Sequence, residues 1–336
     1  MPTIDRRSLL AGAAATSVLA ATGARADHHV SAKADLSGKS ILITGTSSGF
    51  GRIGAELYAR HGAKVFATMR GLPRPEADEL RQLASDEQLD ITVIELDVLD
   101  EAMVNSAVAQ AEQLAGGALD VVINNAGIVM GGPVEVQDMQ AANLMFDTNV
   151  YGVHRVTRAA LPAMRARGSG HIVNISSQAG RVVFPSGGLY SASKFAVESM
   201  SEQLAYELFD HGIDVTIIEP GGFPTEVGQN RAKYTQDLFE RVEPVHGNGY
   251  PELVAAMQNM RTVRDGPVPP GMPDPVMVPQ AILEITSMPA GTRPLRRAVH
   301  PKFIPQVEIN RVSAEAMVGF LGQGRFGKAV TDINAR

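Results

Sequence analysis

Tyr190 and Lys194 stand four residues apart, a spacing that places two side chains on one face of a helix. A phenol with a pKa of about 10 is a poor acid–base group at neutral pH. An ammonium beside it favours phenolate and brings the tyrosine into catalytic range. Ser177 lies upstream at the end of an apolar run and can hydrogen-bond the same substrate oxygen. Ser176 competes for that role; the spacing to Tyr190 favours Ser177. A Tyr-x-x-x-Lys pair recurs by chance, so its weight depends on what surrounds it.

A second cluster sits near the amino end. The stretch Thr44-Gly45-Thr46-Ser47-Ser48-Gly49-Phe50-Gly51 joins an apolar run to an amphipathic one. Glycines between a strand and a helix let backbone N–H groups approach a pyrophosphate at the helix amino end, where the dipole favours negative charge. The spacing is not that of a phosphate-binding P-loop, and the required Lys-Ser/Thr pair is missing. After the next strand the chain reads Ala67-Thr68-Met69-Arg70. Met69 cannot accept a hydrogen bond from a ribose 2′-hydroxyl, whereas Arg70 can pair with a 2′-phosphate. The pattern favours NADP(H) over NAD(H).

These residues need a scaffold that brings them together. Apolar runs at 39–44, 64–68, 91–96, 121–123, 171–175 and 214–218 alternate with helical stretches at 52–60, 76–85, 102–114, 139–164 and 191–209. Continuous Val/Ile runs mark strands buried on both faces, and with intervening helices they predict a doubly wound α/β fold around a parallel sheet. Residues 222–280 are rich in Pro, Gly and Met and read as a substrate lid or insert, with Met257, Met260, Met272 and Met277 as candidates to line an apolar pocket. Helix is expected at 279–286 and 312–321, and a short strand at 293–299. His154 and His171 fall in helix and strand contexts and read as structural.

Composition narrows the function. The 336 residues carry a net charge of −6, which provides no basic field for nucleic acid. Zero Cys excludes disulfides, iron–sulfur clusters, Cys-based zinc sites and thiol nucleophiles. His28 and His29 have no third ligand at useful spacing, so no metal site is expected.

Taken together, the motifs resemble those of the short-chain dehydrogenase/reductase family, from about Leu36 to Thr225 and more loosely to Pro301. They occur in the family's order: Thr44–Gly51, Asp97, Asn124-Asn125-Ala126-Gly127, Asn149, Ser177, Tyr190, Lys194, then Pro220-Gly221 with Thr225. The resemblance implies a Rossmann domain over 38–305 that interconverts an alcohol and a carbonyl by hydride transfer. It implies Tyr190 as general acid/base, Ser177 orienting the carbonyl, Lys194 binding the nicotinamide ribose and lowering the Tyr190 pKa, and Asn149 anchoring a water in the proton relay. Gly45, Thr46, Ser47, Ser48, Gly49, Phe50 and Gly51 would hold the cofactor with Asn125, Ala126, Gly127, Pro220 and Gly221. Asp97 and Val98 would meet the adenine, and Phe223 and Thr225 the carboxamide. The partner is a small alcohol or carbonyl substrate, and relatives pair as homodimers or homotetramers through helices like those at 139–164 and 190–209. The alternatives are a non-catalytic NADP-binding or sensing protein, and an epimerase or dehydratase on the same fold.

The amino end reads as an address. Arg6-Arg7 precede a weakly apolar stretch without charge, and Ala24-Arg25-Ala26 suits cleavage before Asp27. That stretch is too mild for a membrane span, and the paired arginines resemble a twin-arginine export signal. The expected organisation is a signal peptide at 1–26, a linker at 27–37, the domain at 38–305 and a tail at 306–336. The protein would then be periplasmic, exported already folded on its cofactor, or cytoplasmic if the leader is not a signal. Replacing Arg6 and Arg7 with Lys is expected to leave the precursor in the cytoplasm; fractionation showing normal export contradicts the assignment.

Overall fold

The strands are β1 (Ser40–Thr44), β2 (Lys64–Met69), β3 (Ile91–Glu95), β4 (Val121–Asn124), β5 (Gly170–Ile175), β6 (Ile213–Pro220) and β7 (Arg296–Val299), the inner ones buried on both faces even where, as in β6, polar residues alternate with apolar ones. The computed structural model describes residues 34–258 and 271–336. The leader at 1–26, most of the 27–37 linker, and 259–270 of the insert lie outside the described residues. All seven strands pair in parallel in the order β3-β2-β1-β4-β5-β6-β7, the doubly wound α/β sheet expected from the sequence. The chain leaves β1 towards β2 and β3 on one side and resumes at β4 on the other. A crevice opens where strand order reverses, at the carboxyl ends.

Apolar layers cover both faces. On one side α1 (Gly49–Arg60), α2 (Pro75–Asp86) and α10 (Met277–Ser287) bury Tyr58, Leu80 and Ile282 against the sheet. On the other, α3 (Glu101–Ala115), α5 (Gly152–Arg167) and α6 (Leu189–Leu208) bury Val108, Val156 and Leu208. Burial of this kind contributes roughly 25 cal/mol per Å² of apolar surface. Leu36, assigned to the linker, belongs to the first layer and is fully buried.

Two expectations need correction. The single helix anticipated over 139–164 is α4 (Met139–Phe146) and α5, joined by a π-helical turn at Asp147–Tyr151. Such turns insert one extra residue and occur often at functional sites; this one carries Asn149. The turn reads Asp147-Thr148-Asn149-Val150-Tyr151, so polar Thr148 and Asn149 are buried where a helical stripe would place apolar residues.

The tail at 306–336, in which helix was expected only at 312–321, is helical over more of its length. It forms α11 (Gln306–Leu321) and α12 (Gly327–Asn334). Gln306 Nε2 donates to the Glu219 carbonyl at 3.2 Å, and Asn310 Nδ2 donates to both Glu219 carboxylate oxygens. Val330 and Ile333 are buried, and Arg336 bridges to Asp214 at 2.8 Å. Asp214 also pairs with the buried Arg293 at 2.8 Å. Side-chain partners from β6 thus hold the end of the chain. Between β6 and α10 run α7 (Val227–Phe239), α8 (Pro244–Gly247) and α9 (Pro251–Gln258).

Candidate active site

The end of β1 turns sharply into α1. Gly45 has a φ of +72°, and a Cβ there would lie 3.0 Å from the Ala126 Cα. A Cβ on Gly51 would lie 2.3 Å from the Gly45 carbonyl oxygen and 2.5 Å from Asn125 Nδ2. Only glycine lets α1 seat this close to the turn. The Thr44 hydroxyl accepts the N–H groups of Asn125 and Ala126, both at 3.0 Å, while Asn125 Nδ2 donates to the carbonyls of Thr44 and Gly45. These bonds fix the mouth of the crevice between β1 and β4.

Most of the expected site residues line one cleft of about 630 Å³. They are Gly45, Ser47, Ser48, Gly49 and Phe50 of the turn, Arg70 after β2, Asp97 and Val98 after β3, and Asn125, Ala126 and Gly127 after β4. Ser177 follows β5, Tyr190 and Lys194 stand on α6, and Pro220, Gly221, Phe223 and Thr225 follow β6. Three expected residues do not face the cleft. Thr46 is buried and donates to the Thr68 carbonyl at 3.1 Å; Gly51 packs beneath the turn; Asn149 lies one layer behind. Met272 is exposed and Met277 packs on the core, so neither lines this space. Nothing is described of the Met257 side chain or of Met260.

The cradle suits a dinucleotide, because a carboxylate of the chain itself already takes the anion position. Gly49 N–H at the amino end of α1 donates to Glu226 Oε2 at 3.1 Å, where the helix dipole favours negative charge. Arg70 is exposed, and its Nη2 donates to the Tyr234 hydroxyl at 3.1 Å. Phe223 is held edge-on between Phe50 and His300, with centroids 5.5 and 5.7 Å away. His171 is buried in β5 with Nε2 3.0 Å from the Thr216 hydroxyl, and burial holds its pKa well below the usual imidazole range. It belongs to the core, as expected, and His154 is exposed on α5.

Tyr190 and Lys194 occupy the first turns of α6. Lys194 Nζ donates to the Ile175 carbonyl at 2.8 Å and lies 5.9 Å from the centre of the Tyr190 ring. Burial pushes the Tyr190 phenol up, and the Ser177 hydroxyl and the Arg231 guanidinium oppose that shift. Burial also pushes Lys194 down to about 8, with Glu198 pulling the other way. Ser177 accepts the Ala179 N–H at 3.0 Å, whereas the buried Ser176 hydroxyl, also on the cleft wall, has no partner. Asn149 is spent on structure: its Oδ1 accepts the Ile128 N–H at 2.8 Å, and its Nδ2 donates to the Ile128 carbonyl at 2.9 Å and the Ser193 hydroxyl at 3.1 Å.

A family model described as short chain dehydrogenase matches residues 39–236. The chain belongs to the short-chain dehydrogenase/reductase family. Members of the family are oxidoreductases of CH–OH and C=O groups that use NAD or NADP. Retinol dehydrogenase 8 of Homo sapiens is 34% identical over 283 residues, covering 82% of this chain and 86% of that protein. A short-chain dehydrogenase/reductase from Burkholderia phymatum, solved with NAD, superposes with a TM-score of 0.68 at 26% identity over 84% of this chain and 96% of its own. Gluconate 5-dehydrogenase from Burkholderia cenocepacia, solved with NADP and tartrate, gives 0.55 at 29% identity over 62% and 82%. Two curated relatives at 39 and 40% identity match over 193 residues, 66% of their own length.

Sequence reasoning missed the part of this short-chain dehydrogenase contributed by α7. Glu226, Arg231 and Tyr234 line the cleft but lie in a stretch read for its Pro and Met content. The spacing of Arg231, Tyr234, Thr235 and Leu238 is the helical stripe that marks them.

Lys194 generates a test. Its folded pKa of about 8 lies below the ordinary 10.5, so between those values the unfolded chain holds more protons and stability rises with pH. In urea denaturation without cofactor, wild type is expected to gain about 3 kcal/mol relative to Lys194→Met as pH rises from about 8 to 10.5. A difference independent of pH contradicts the burial of this ammonium.

Proposed function

We propose that the protein is an NADP(H)-dependent oxidoreductase that interconverts an alcohol and a carbonyl compound. One observation carries this reading: a single cleft brings Tyr190, Ser177 and Lys194 together with a glycine turn shaped for a pyrophosphate. The nicotinamide cofactor, when bound, supplies or takes up the hydride. The hydroxyls of Ser177 and Tyr190 hold the substrate oxygen. In reduction Tyr190 gives its proton to that oxygen, and in oxidation it takes the proton back.

Burial of Tyr190 favours its neutral form, which suits it as a proton donor to a carbonyl. Lys194, fixed by the Ile175 carbonyl, holds the nicotinamide ribose. Asn149 acts by positioning: it ties the Ile128 backbone to Ser193 of α6 and so sets the phenol relative to the loop after β4. The preference for NADP(H) rests on Arg70, whose exposed guanidinium and the Tyr234 hydroxyl together offer donors to a 2′-phosphate. Met69 offers the 2′-hydroxyl of NAD no acceptor. A protein that only senses NADP has no use for Tyr190 and Ser177 in this arrangement.

Tyr190→Phe is expected to lower kcat for NADPH-dependent reduction about 10³-fold across a carbonyl panel while NADPH binding is retained. Turnover within a few-fold of wild type contradicts the role given to Tyr190. Arg70→Met is expected to raise the KM for NADPH about 10-fold or more and to leave that for NADH in place. Equal effects on both cofactors contradict the preference.

A further inference from the structure

Helix α7 packs over Tyr190. Thr235 is buried and its hydroxyl accepts the Gly131 N–H at 3.1 Å, tying α7 to the loop after β4. Leu238 is fully buried with Ile128, Met130 and Met145, and Tyr190 and Tyr234 pack on the same cluster. Arg241, beyond the last turn, pairs with Asp138 at 2.8 Å. Arg231 begins this stripe, one turn before Thr235, and the stripe's face is the one laid against the Tyr190 cluster. The Arg231 side chain lines the cleft, and its Nε is buried without a hydrogen-bond partner among the described residues.

A partly buried guanidinium with an unpartnered Nε is a ready site for an anion. Among the described residues no carboxylate pairs with it. Among the carboxylates that line the cleft, Glu76 is bound to Arg74, Glu226 accepts Gly49 N–H, and Asp97 accepts the Leu99 N–H. The charge of Arg231 nevertheless reaches the Tyr190 phenol and favours its ionised form. The other cations on the cleft wall have assignments, Arg70 with Tyr234, Arg74 with Glu76, and Lys194 with the Ile175 carbonyl. Arg231 is left facing the reacting end.

We propose that Arg231 is a specificity-determining residue that binds a carboxylate on the substrate, so that the protein acts on oxo acids and hydroxy acids rather than on neutral ketones or alcohols. This rests on the oxidoreductase reading above and names the substrate class of the same site. The planar fork of a guanidinium matches a carboxylate with two parallel hydrogen bonds. Such a bond fixes the carbonyl against Tyr190 and Ser177 and disfavours any substrate carrying an amine at that position. The anion has one other source, the pyrophosphate of the cofactor, and the two separate experimentally.

The test uses NADP-loaded protein and a panel of short 2- and 3-hydroxy acids, each paired with its methyl ester, in calorimetric titrations. NADPH-driven turnover is then measured on the matching oxo acids and esters. Wild type is expected to bind the acid about 100-fold more tightly than its ester, the worth of two charge-assisted hydrogen bonds. Arg231→Met is expected to bring that ratio near one, and Arg231→Lys, which keeps the charge and the fold but not the fork, to leave an intermediate ratio. NADPH affinity, read by cofactor fluorescence, is expected to move less than threefold. Equal binding of acid and ester by wild type overturns the proposal. So does a loss of NADPH affinity in Arg231→Met with the acid-to-ester ratio intact, which assigns the guanidinium to the pyrophosphate. Acid binding that depends on Arg231 without turnover upholds the anion site and refutes the oxidoreductase reading instead.

Discussion

Asn149 reaches the N–H and the carbonyl of Ile128 and the hydroxyl of Ser193 from a backbone turn wound one residue wider than an α-helix. Those bonds join three elements that have no other reason to share a register: the loop after β4, the α4–α5 junction and the first turns of α6. Ser193 lies between Tyr190 and Lys194, and its hydroxyl donates to the Tyr190 carbonyl at 2.7 Å. The phenol is therefore placed by a buried amide whose groups are almost fully satisfied, the condition under which a polar core residue specifies one arrangement. The extra residue of the π turn lets Asn149 point inward at that position.

Around this clamp, burial and charge are set against each other. Tyr190 and Lys194 both lie where desolvation favours their neutral forms. The compensations come from separate parts of the chain: Ser177 at the end of β5, Arg231 on α7, and Glu198 one turn beyond Lys194. Helix α7 has a second involvement, since Glu226 at its amino end accepts the Gly49 N–H and Tyr234, midway along it, accepts from Arg70.

The legible parts of this protein are those whose partners are close in sequence. The glycine turn announces itself because strand, turn and helix are contiguous, and Tyr190 with Lys194 because helical spacing alone puts them on one face. The parallel sheet follows from apolar runs buried on both sides. The π turn was hidden because Asp147–Tyr151 contains no Pro or Gly and is flanked on both sides by helical spacing, although its buried Thr148 and Asn149 are polar. The anchoring of α11 and α12 was hidden because it rests on Gln306, Asn310 and Arg336, polar residues whose partners, Glu219 and Asp214, lie on a distant strand. Arg231 and Tyr234 were obscured for a related reason: α7 is mostly polar, and its significance appears only once Thr235 and Leu238 are seen to seat it over Tyr190. The upward shift of Tyr190 likewise follows from burial, which spacing does not reveal.

The central claim is that this cleft passes a hydride to a carbonyl carbon while Tyr190 protonates the oxygen. The most direct measurement is a turnover of oxo acids and ketones with NADPH carrying deuterium at the transferable 4-position, with mass spectrometry of the products. The account predicts one deuterium on the carbinol carbon and none on the hydroxyl after exchange. Oxidised cofactor without labelled alcohol, or an isomerised or dehydrated product with the label still on the cofactor, would contradict it.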